Sequence, residues 1–117
     1  MFGFIMSDSK NFIGWSNGTD DGWSTASSIA DGNWHHVVLT YATSGTKWIF
    51  YLDGVSKGTQ TNASLNTVMT ANGIGIGRSL LTGDPYSNLY FKGSIDDFAI
   101  YSSTLNAAAV SAHYAAR

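Results

Sequence analysis

Two neighbouring stretches of the chain decide its fold. Residues 33–41 have the sequence NWHHVVLTY, and residues 47–54 have the sequence KWIFYLDG. Both are rich in β-branched and aromatic side chains, which fit the pleated, half-buried surface of a sheet. The polar link over residues 42–46 contains a glycine and is typical of a hairpin loop. The pair Asp53-Gly54 then predicts a tight two-residue turn into a further strand.

The composition favours an all-β surface protein. Charged residues make up 12% of the 117 residues, about half of the roughly 25% that is usual. All eight acidic residues are aspartates, whereas helical proteins use glutamate heavily. The six basic residues are scattered and the net charge is −2, so we expect no nucleic-acid partner. Without cysteine the chain can form neither a disulfide nor a thiolate metal site, and no apolar run approaches the ~18 residues of a membrane span.

Turn signals divide the rest of the chain into short strands and one helix. Further strands are predicted over residues 2–6, 11–15, 23–29, 55–61, 73–78 and 89–101, with loops over residues 16–22, 62–72 and 79–88. Residues 107–114 predict a short helix, with Asn106 as its N-cap and Val110 on one face together with His113 or Tyr114. This pattern predicts an antiparallel jelly-roll β-sandwich with a short C-terminal helix.

Alternation along the hairpin divides its side chains between two faces. Large aromatic rings bury well, so most of them are assigned to the core. The predicted core residues are Trp34, Trp48, Phe50, Leu52, Phe91 and Phe98. The opposite face is too apolar to be simply solvated, and we expect it to be either the floor of a groove or a contact with another subunit. That face is formed by His35, Tyr41, Ile49 and Tyr51.

Four motifs follow one another in the chain: DGNWHHV at residues 31–37, YLDG at 51–54, IGIG at 74–77 and FKGSIDDFAIY at 91–101. Together they resemble the laminin-G-like jelly-roll domains of the concanavalin A-like lectin/glucanase group. The resemblance implies one domain over residues 1–117 that lacks the family's first strands. Unpaired strand edges and exposed apolar faces promote association. We therefore expect either a fragment of a longer protein or a homo-oligomer that completes its sandwich between copies.

Aromatic residues in or beside predicted loops, or on the second face of the hairpin, are the candidate carbohydrate-binding residues. An exposed ring offers a flat apolar face and a polar edge, which suits stacking on the C–H face of a sugar. The alternative for these rings is packing against a neighbouring subunit. The candidates are Trp15, Trp23, Tyr51, Tyr86 and Tyr90.

The loop predicted over residues 16–22 is a candidate calcium site. Calcium prefers several oxygen ligands from flexible, carboxylate-bearing loops, and the resemblance implies calcium at one rim of the sandwich. The candidate ligands are Asn17, Asp20, Asp21 and Asp84. The alternative is that these aspartates are solvated turn residues.

Two other polar pairs are interpreted as structural. Neighbouring strand residues point to opposite faces, so neither His35-His36 nor Asp96-Asp97 easily places both side chains on one ligand. A zinc site at the histidines also lacks a third ligand nearby in the sequence. For the aspartate pair, the resemblance implies a role in capping backbone groups.

These observations predict a non-catalytic recognition module that binds a glycan or a protein surface, with calcium as the candidate cofactor. The alternative is a structural or oligomerisation domain of a surface or virion appendage. A glycoside hydrolase is less expected, because such enzymes need two carboxylates about 5–9.5 Å apart. In this fold they are commonly glutamates at alternate strand positions, and the chain has neither glutamate nor an Asp-x-Asp pair. The weakly charged surface favours an extracellular, cell-surface or virion-surface location, although the first residues do not form a signal peptide.

Overall fold

The structure, a computed structural model, describes residues 2–6, 12–16, 19–24, 29–42, 48–60, 75–78 and 90–117. The chain divides into two compact units, which are described separately. The first contains residues 1–65 and 101–117, and the second contains residues 66–100. None of the helical residues described forms a segment that is long and apolar enough to cross a membrane.

The first unit begins with an antiparallel sheet of three strands. These are β1 (Phe2–Met6), β2 (Phe12–Ser16) and β3 (Thr19–Ser24), in the order β1-β2-β3. The strands predicted over residues 2–6 and 11–15 are confirmed. The loop predicted over residues 16–22 is wrong, because β3 begins at Thr19. In the sequence, the pair Asn17-Gly18 is a signal for a two-residue hairpin turn, and such a turn is shorter than the predicted loop.

The second sheet of the first unit contains the predicted hairpin. Its strands are β4 (Val37–Tyr41), β5 (Trp48–Leu52) and β6 (Val55–Gln60), all antiparallel and in the order β4-β5-β6. The turn between β5 and β6 has positive φ at both central residues, 52° at Asp53 and 76° at Gly54. A type I′ turn requires this combination, so the predicted tight turn is confirmed.

Among the residues whose burial the structure describes, the core of the first unit lies mainly on the second sheet. Phe50 is 0% exposed and Trp48 is 2% exposed, as predicted. The central cluster consists of Ile29, Phe50 and Leu52, with Val37 and Leu39 packed against it. The other face of the sheet is buried as well, because Tyr51 is 3% and Thr40 is 5% exposed. Sheet β4-β5-β6 is therefore covered on both faces near its centre.

The strand register corrects the predicted faces. Residues directly opposite in an antiparallel pair lie on the same face. Tyr41 is opposite Trp48, and their ring centroids are 4.8 Å apart. Tyr41 therefore belongs to the core face with Trp48 and not to the face of Ile49 and Tyr51.

Three aromatic residues predicted to be in the core are exposed. Trp34 is 61%, Phe91 is 39% and Phe98 is 54% exposed, so these three predictions are wrong. Trp34 lies before the first residue of β4, Val37, and so outside the buried part of the hairpin. Phe91 and Phe98 lie outside any strand.

The C-terminal helix α1 (Ala107–Ala115) agrees with the prediction. The Asn106 side-chain oxygen accepts a hydrogen bond from the Ala109 N–H at 2.9 Å, which satisfies one of the free donors at the helix start. Val110 is 0% exposed and anchors the helix. The helix contacts β6, and β3 also lies beside β6.

The second unit contains one isolated bridge, between Arg78 and Tyr90, among its described residues. The Phe91 N–H also donates to the Gly77 carbonyl oxygen at 2.8 Å. The strands predicted over residues 73–78 and 89–101 do not form in the parts that are described. Positive φ angles of 72° at Gly77 and 50° at Asp97 interrupt the extended backbone that a ladder needs. The described residues therefore form a mostly antiparallel β protein with one short helix.

Candidate functional site

The turn after β5 is tied to the residue that precedes β4. The Asp53 N–H donates to the His36 carbonyl oxygen at 2.8 Å, and Asp53 Oδ1 accepts from the His36 N–H at 2.9 Å. The same turn lies against α1, because a Cβ added to Gly54 would be 3.2 Å from the Tyr114 Cβ. Main-chain and side-chain contacts together therefore hold this end of the hairpin.

His35 lies between two carboxylates at this end of the sheet. Its Nδ1 is 2.8 Å from Asp53 Oδ2, and its Nε2 is 3.1 Å from Asp31 Oδ1. An ionised carboxylate only accepts hydrogen bonds, so both ring nitrogens are satisfied only when both carry a proton. The hydrogen bond to Asp53 raises the pKa of His35, and Asp31 adds to this effect, while desolvation opposes it. This arrangement therefore favours the imidazolium form of His35.

The same contacts keep the two carboxylates ionised. Hydrogen bonds from Asn33, followed by that from His35, lower the pKa of Asp31 to about 2. Partial burial opposes ionisation of Asp53, but hydrogen bonds from His35 and from the His36 backbone lower its pKa. A glycosidase general acid needs a carboxyl group with a raised pKa. Asp31 and Asp53 are therefore suited to accept hydrogen bonds and not to donate a proton near neutral pH.

Arg117 also contacts this network. Its Nη1 donates to the Trp34 carbonyl oxygen at 3.1 Å, and its Nη2 lies 3.7 Å from Asp53 Oδ1. The guanidinium carbon is 4.1 Å from the centre of the Tyr114 ring, within the range of cation–π attraction. Arg117 therefore links α1, the turn and the loop that carries Trp34.

The loop before β4 presents an exposed indole on a constrained backbone. Asp31 Oδ1 accepts a hydrogen bond from the Asn33 N–H at 2.8 Å, which closes an Asx turn. Trp34 is 61% exposed directly after this turn, and Asp31 and Asn33 are exposed beside it in the chain. The arrangement combines an open aromatic face with fixed hydrogen-bonding groups. We call the following residues the Trp34 site: Asp31, Asn33, Trp34, His35, Asp53 and Arg117.

His36 has a different environment from His35. Its ring centroid is 6.2 Å from that of Tyr114, and its Nδ1 is buried without a hydrogen-bond partner. Burial first, and then the positive charges of Arg117 and His113, lower the pKa of His36. The two neighbouring histidines therefore favour opposite protonation states.

The predicted carbohydrate-binding residues lie in several places. Trp15 lies in β2 and Trp23 in β3, and Tyr86 lies outside the described residues. Tyr90 belongs to the second unit and is 64% exposed. Tyr51 is only 3% exposed, because the face of β5 on which it lies is covered. Its ring therefore has no free surface for a sugar, and we correct that assignment.

The predicted calcium ligands do not form a loop site within the described residues. Asp20 and Asp21 lie inside β3, whereas Asn17 and Asp84 fall outside the described residues. Across the described ranges, no group of three or more histidine, cysteine or acidic residues could hold a metal ion. At the other aspartate pair, the Asp97 N–H donates to Asp96 Oδ1 at 2.9 Å.

None of the six residues of the Trp34 site was among the binding residues predicted from the sequence. Trp34 was assigned to the core because large rings usually bury well. The turn residues Asp31-Gly32-Asn33 immediately before it were a signal that it lies in a loop. Arg117 carried no signal in the sequence, since its partner Trp34 is 83 residues away.

Comparison with known proteins shows the family of the chain and two kinds of similar protein. A laminin G family model, described as the concanavalin A-like lectin/glucanases superfamily, matches residues 1–111. The chain is 27% identical over 70 residues to the sushi, von Willebrand factor type A, EGF and pentraxin domain-containing protein 1 of Rattus norvegicus. The protein of the same name from Mus musculus gives the same identity. These matches span 60% of this chain but 2% of either relative.

A solved structure is also similar. It is the crystal structure of residues 221–444 of an S-layer domain-containing protein from Clostridium thermocellum, with a TM-score of 0.62 and 28% sequence identity. The similarity covers 89% of this chain and 50% of that one. Because the family model matches almost the whole chain, the protein belongs to the laminin-G-like family of the concanavalin A-like lectin/glucanase superfamily.

Proposed function

We propose that this protein is a non-catalytic recognition module that binds a carbohydrate at the Trp34 site. The observation that carries the proposal is the 61% exposure of Trp34 next to an Asx turn with a fixed backbone. Covering the apolar face of the indole with the C–H face of a sugar removes apolar surface from water, which is favourable. Asp31 and Asn33 are both exposed, and their side-chain oxygens have further acceptor capacity for sugar hydroxyl groups.

The rigidity of the loop supports this function. Binding costs free energy when flexible side chains and loops become ordered. The Trp34 carbonyl oxygen is already held by Arg117, and the loop is already closed by Asp31 and His35. Much of the ordering therefore precedes binding, which favours recognition of a weakly interacting ligand such as a glycan.

The properties of the carboxylates support recognition over hydrolysis. Both Asp31 and Asp53 have lowered pKa values, so neither matches the protonated acid that glycoside hydrolysis needs. We also propose an extracellular or cell-surface location. The similarity to an S-layer domain-containing protein supports that part of the proposal.

A glycan array tests the proposal. Labelled wild-type protein should bind a defined subset of glycans, and the Trp34→Ala variant should lose that binding. Tyr90→Ala is a matched control, because Tyr90 is equally exposed at 64% but lies in the other unit. Binding that persists in Trp34→Ala and disappears in Tyr90→Ala would contradict the site. Release of reducing sugar from the bound glycans would contradict the non-catalytic assignment.

A second candidate function is assembly with further copies of the chain. Ile95 is 49%, Phe98 is 54% and Ile100 is 66% exposed within a single segment of the second unit. Exposed apolar side chains that lie close together in the chain promote association with another chain. Light scattering should then give a mass above 12.5 kDa that returns to the monomer value in Phe98→Ser/Ile100→Ser. A wild-type monomer at micromolar concentration would exclude this candidate.

A further inference from the structure

We infer that His35, through its two carboxylate contacts, is the positioning residue that holds residues 31–34, here called the Trp34 loop, in their binding geometry. This inference rests on the proposed carbohydrate recognition at the Trp34 site. His35 contacts Asp31 at one side of the loop and Asp53 in the turn after β5. Trp34 lies between Asp31 and His35 in the chain, so the His35–Asp31 contact closes the short loop that carries the indole.

The two contacts of His35 differ in how firmly the carboxylate is held. Asp53 Oδ1 also accepts from the His36 N–H and lies 3.7 Å from Arg117 Nη2, and its side chain is 27% exposed. The Asp31 side chain is 46% exposed, and its hydrogen-bond partners among the described residues, Asn33 and His35, lie within four residues of it in the chain. Asp53 is therefore a fixed partner, whereas Asp31 moves with the Trp34 loop.

Loss of one proton from His35 breaks the weaker contact. A neutral imidazole has one N–H donor and one bare nitrogen. The proton stays on Nδ1, because the partner there is the fixed carboxylate of Asp53 at 2.8 Å. The Nε2 lone pair then faces the Asp31 carboxylate, and the contact that closed the loop becomes repulsive. Deprotonation therefore frees the loop on the Asp31 side of Trp34.

The protonation of His35 depends on the charged groups around it. Asp31 faces it from the loop and Asp53 from the turn, and these two charges favour the imidazolium. Arg117 reaches the network through Asp53, and its charge acts on Asp53 and His36. His36 has a lowered pKa, so it adds little positive charge beside His35 near neutral pH. The two carboxylates therefore dominate the protonation of His35.

Carbohydrate binding should consequently weaken as the pH rises through the pKa of His35. We expect an affinity, measured by titration on a glycan that the array identifies, that is about tenfold weaker at high pH, a ratio equivalent to about 1.4 kcal/mol. His35→Gln should bind weakly at every pH and give a flat profile. Asp53→Asn removes one of the two charges while asparagine still tolerates a positive φ, so its midpoint should move to lower pH. His113 is an exposed histidine on α1, and His113→Gln should keep the wild-type midpoint.

Nuclear magnetic resonance on the full chain tests the positioning without any ligand. The order parameter of the Trp34 indole N–H should fall as the His35 ring titrates, since the loop opens at that step. A Trp34 indole that stays equally ordered throughout the His35 titration would overturn the inference, even if glycans bind. An array with no bound glycan at any pH would instead refute the proposed function, and the order parameter would still decide whether His35 positions Trp34.

Discussion

Replacing Gly54 by alanine should destabilise the protein by about 2 kcal/mol. The left-handed conformation costs a non-glycine residue about 1–2 kcal/mol, and the smaller entropy of the unfolded alanine chain offsets up to about 1 kcal/mol of this. At Gly54, where φ is 76°, the new Cβ would also lie 3.2 Å from both Cβ and Cδ1 of Tyr114. Moving Tyr114 would disturb its contact with Arg117, and we assign about 1 kcal/mol to this overpacking.

Gly32→Ala is the matched control for this substitution. Gly32 has a similar φ of 87°, but a Cβ there would meet nothing within 4 Å. It should therefore cost only the backbone strain, about 1 kcal/mol. By thermal unfolding, a protein of this size loses about 4 °C per kcal/mol, so the melting temperature should fall by about 8 °C for Gly54→Ala and about 4 °C for Gly32→Ala. Equal losses in both variants would refute the close packing of the turn on Tyr114.

Three further predictions concern the helix cap, the charge network and calcium. Asn106→Ala should lower the free energy of unfolding by about 1 kcal/mol in denaturant titrations, because the hydrogen bond to the Ala109 N–H is lost; the conservative Asn106→Asp should retain most of it. The pKa of His35 is raised above 6.5, and the pKa values of Asp31 and Asp53 are lowered below 3.8. Both carboxylates are therefore ionised and His35 is protonated between pH 3.8 and 6.5. The difference in the free energy of unfolding between wild type and His35→Gln should be largest in this range. The greater stability of the wild type should disappear as the pH rises through the folded-state pKa of His35, and also as the pH falls through the folded-state pKa values of the two aspartates. A stability difference that stays constant across pH would contradict the contact of His35 with two carboxylates. If the protein binds calcium, the melting temperature should be higher in calcium than in chelator, and equal values would eliminate calcium as a cofactor.

The hairpin and the helix could be predicted because their signals are local. The Asp53-Gly54 pair allows positive φ at both turn positions, and the strands on either side have side chains that fit a sheet. Asn106 before an alanine-rich run predicts a capped helix for a similar reason. The start of β3 is not predicted correctly, because the polar residues after Asn17-Gly18 favour a loop although the pair itself favours a two-residue turn.

The faces of the hairpin could not be assigned from periodicity alone. Alternation along one strand predicts which of its residues share a face. Which residues of the partner strand lie on that same face depends on the register of the pair. The pairing of Tyr41 with Trp48 placed Tyr41 on the core face. The burial of Tyr51 depends on what covers its face of the sheet, and alternation along the strand does not predict this.

The sequence by itself determined the antiparallel hairpin, its type I′ turn and the C-terminal helix, because each depends on backbone preferences of adjacent residues. Only the tertiary structure decided the Trp34 site. His35 meets Asp53 across 18 residues, and Arg117 meets the Trp34 carbonyl oxygen across 83 residues. Contacts between residues so far apart follow from the packing of whole elements, and the same packing left Trp34 exposed where its size alone predicted burial.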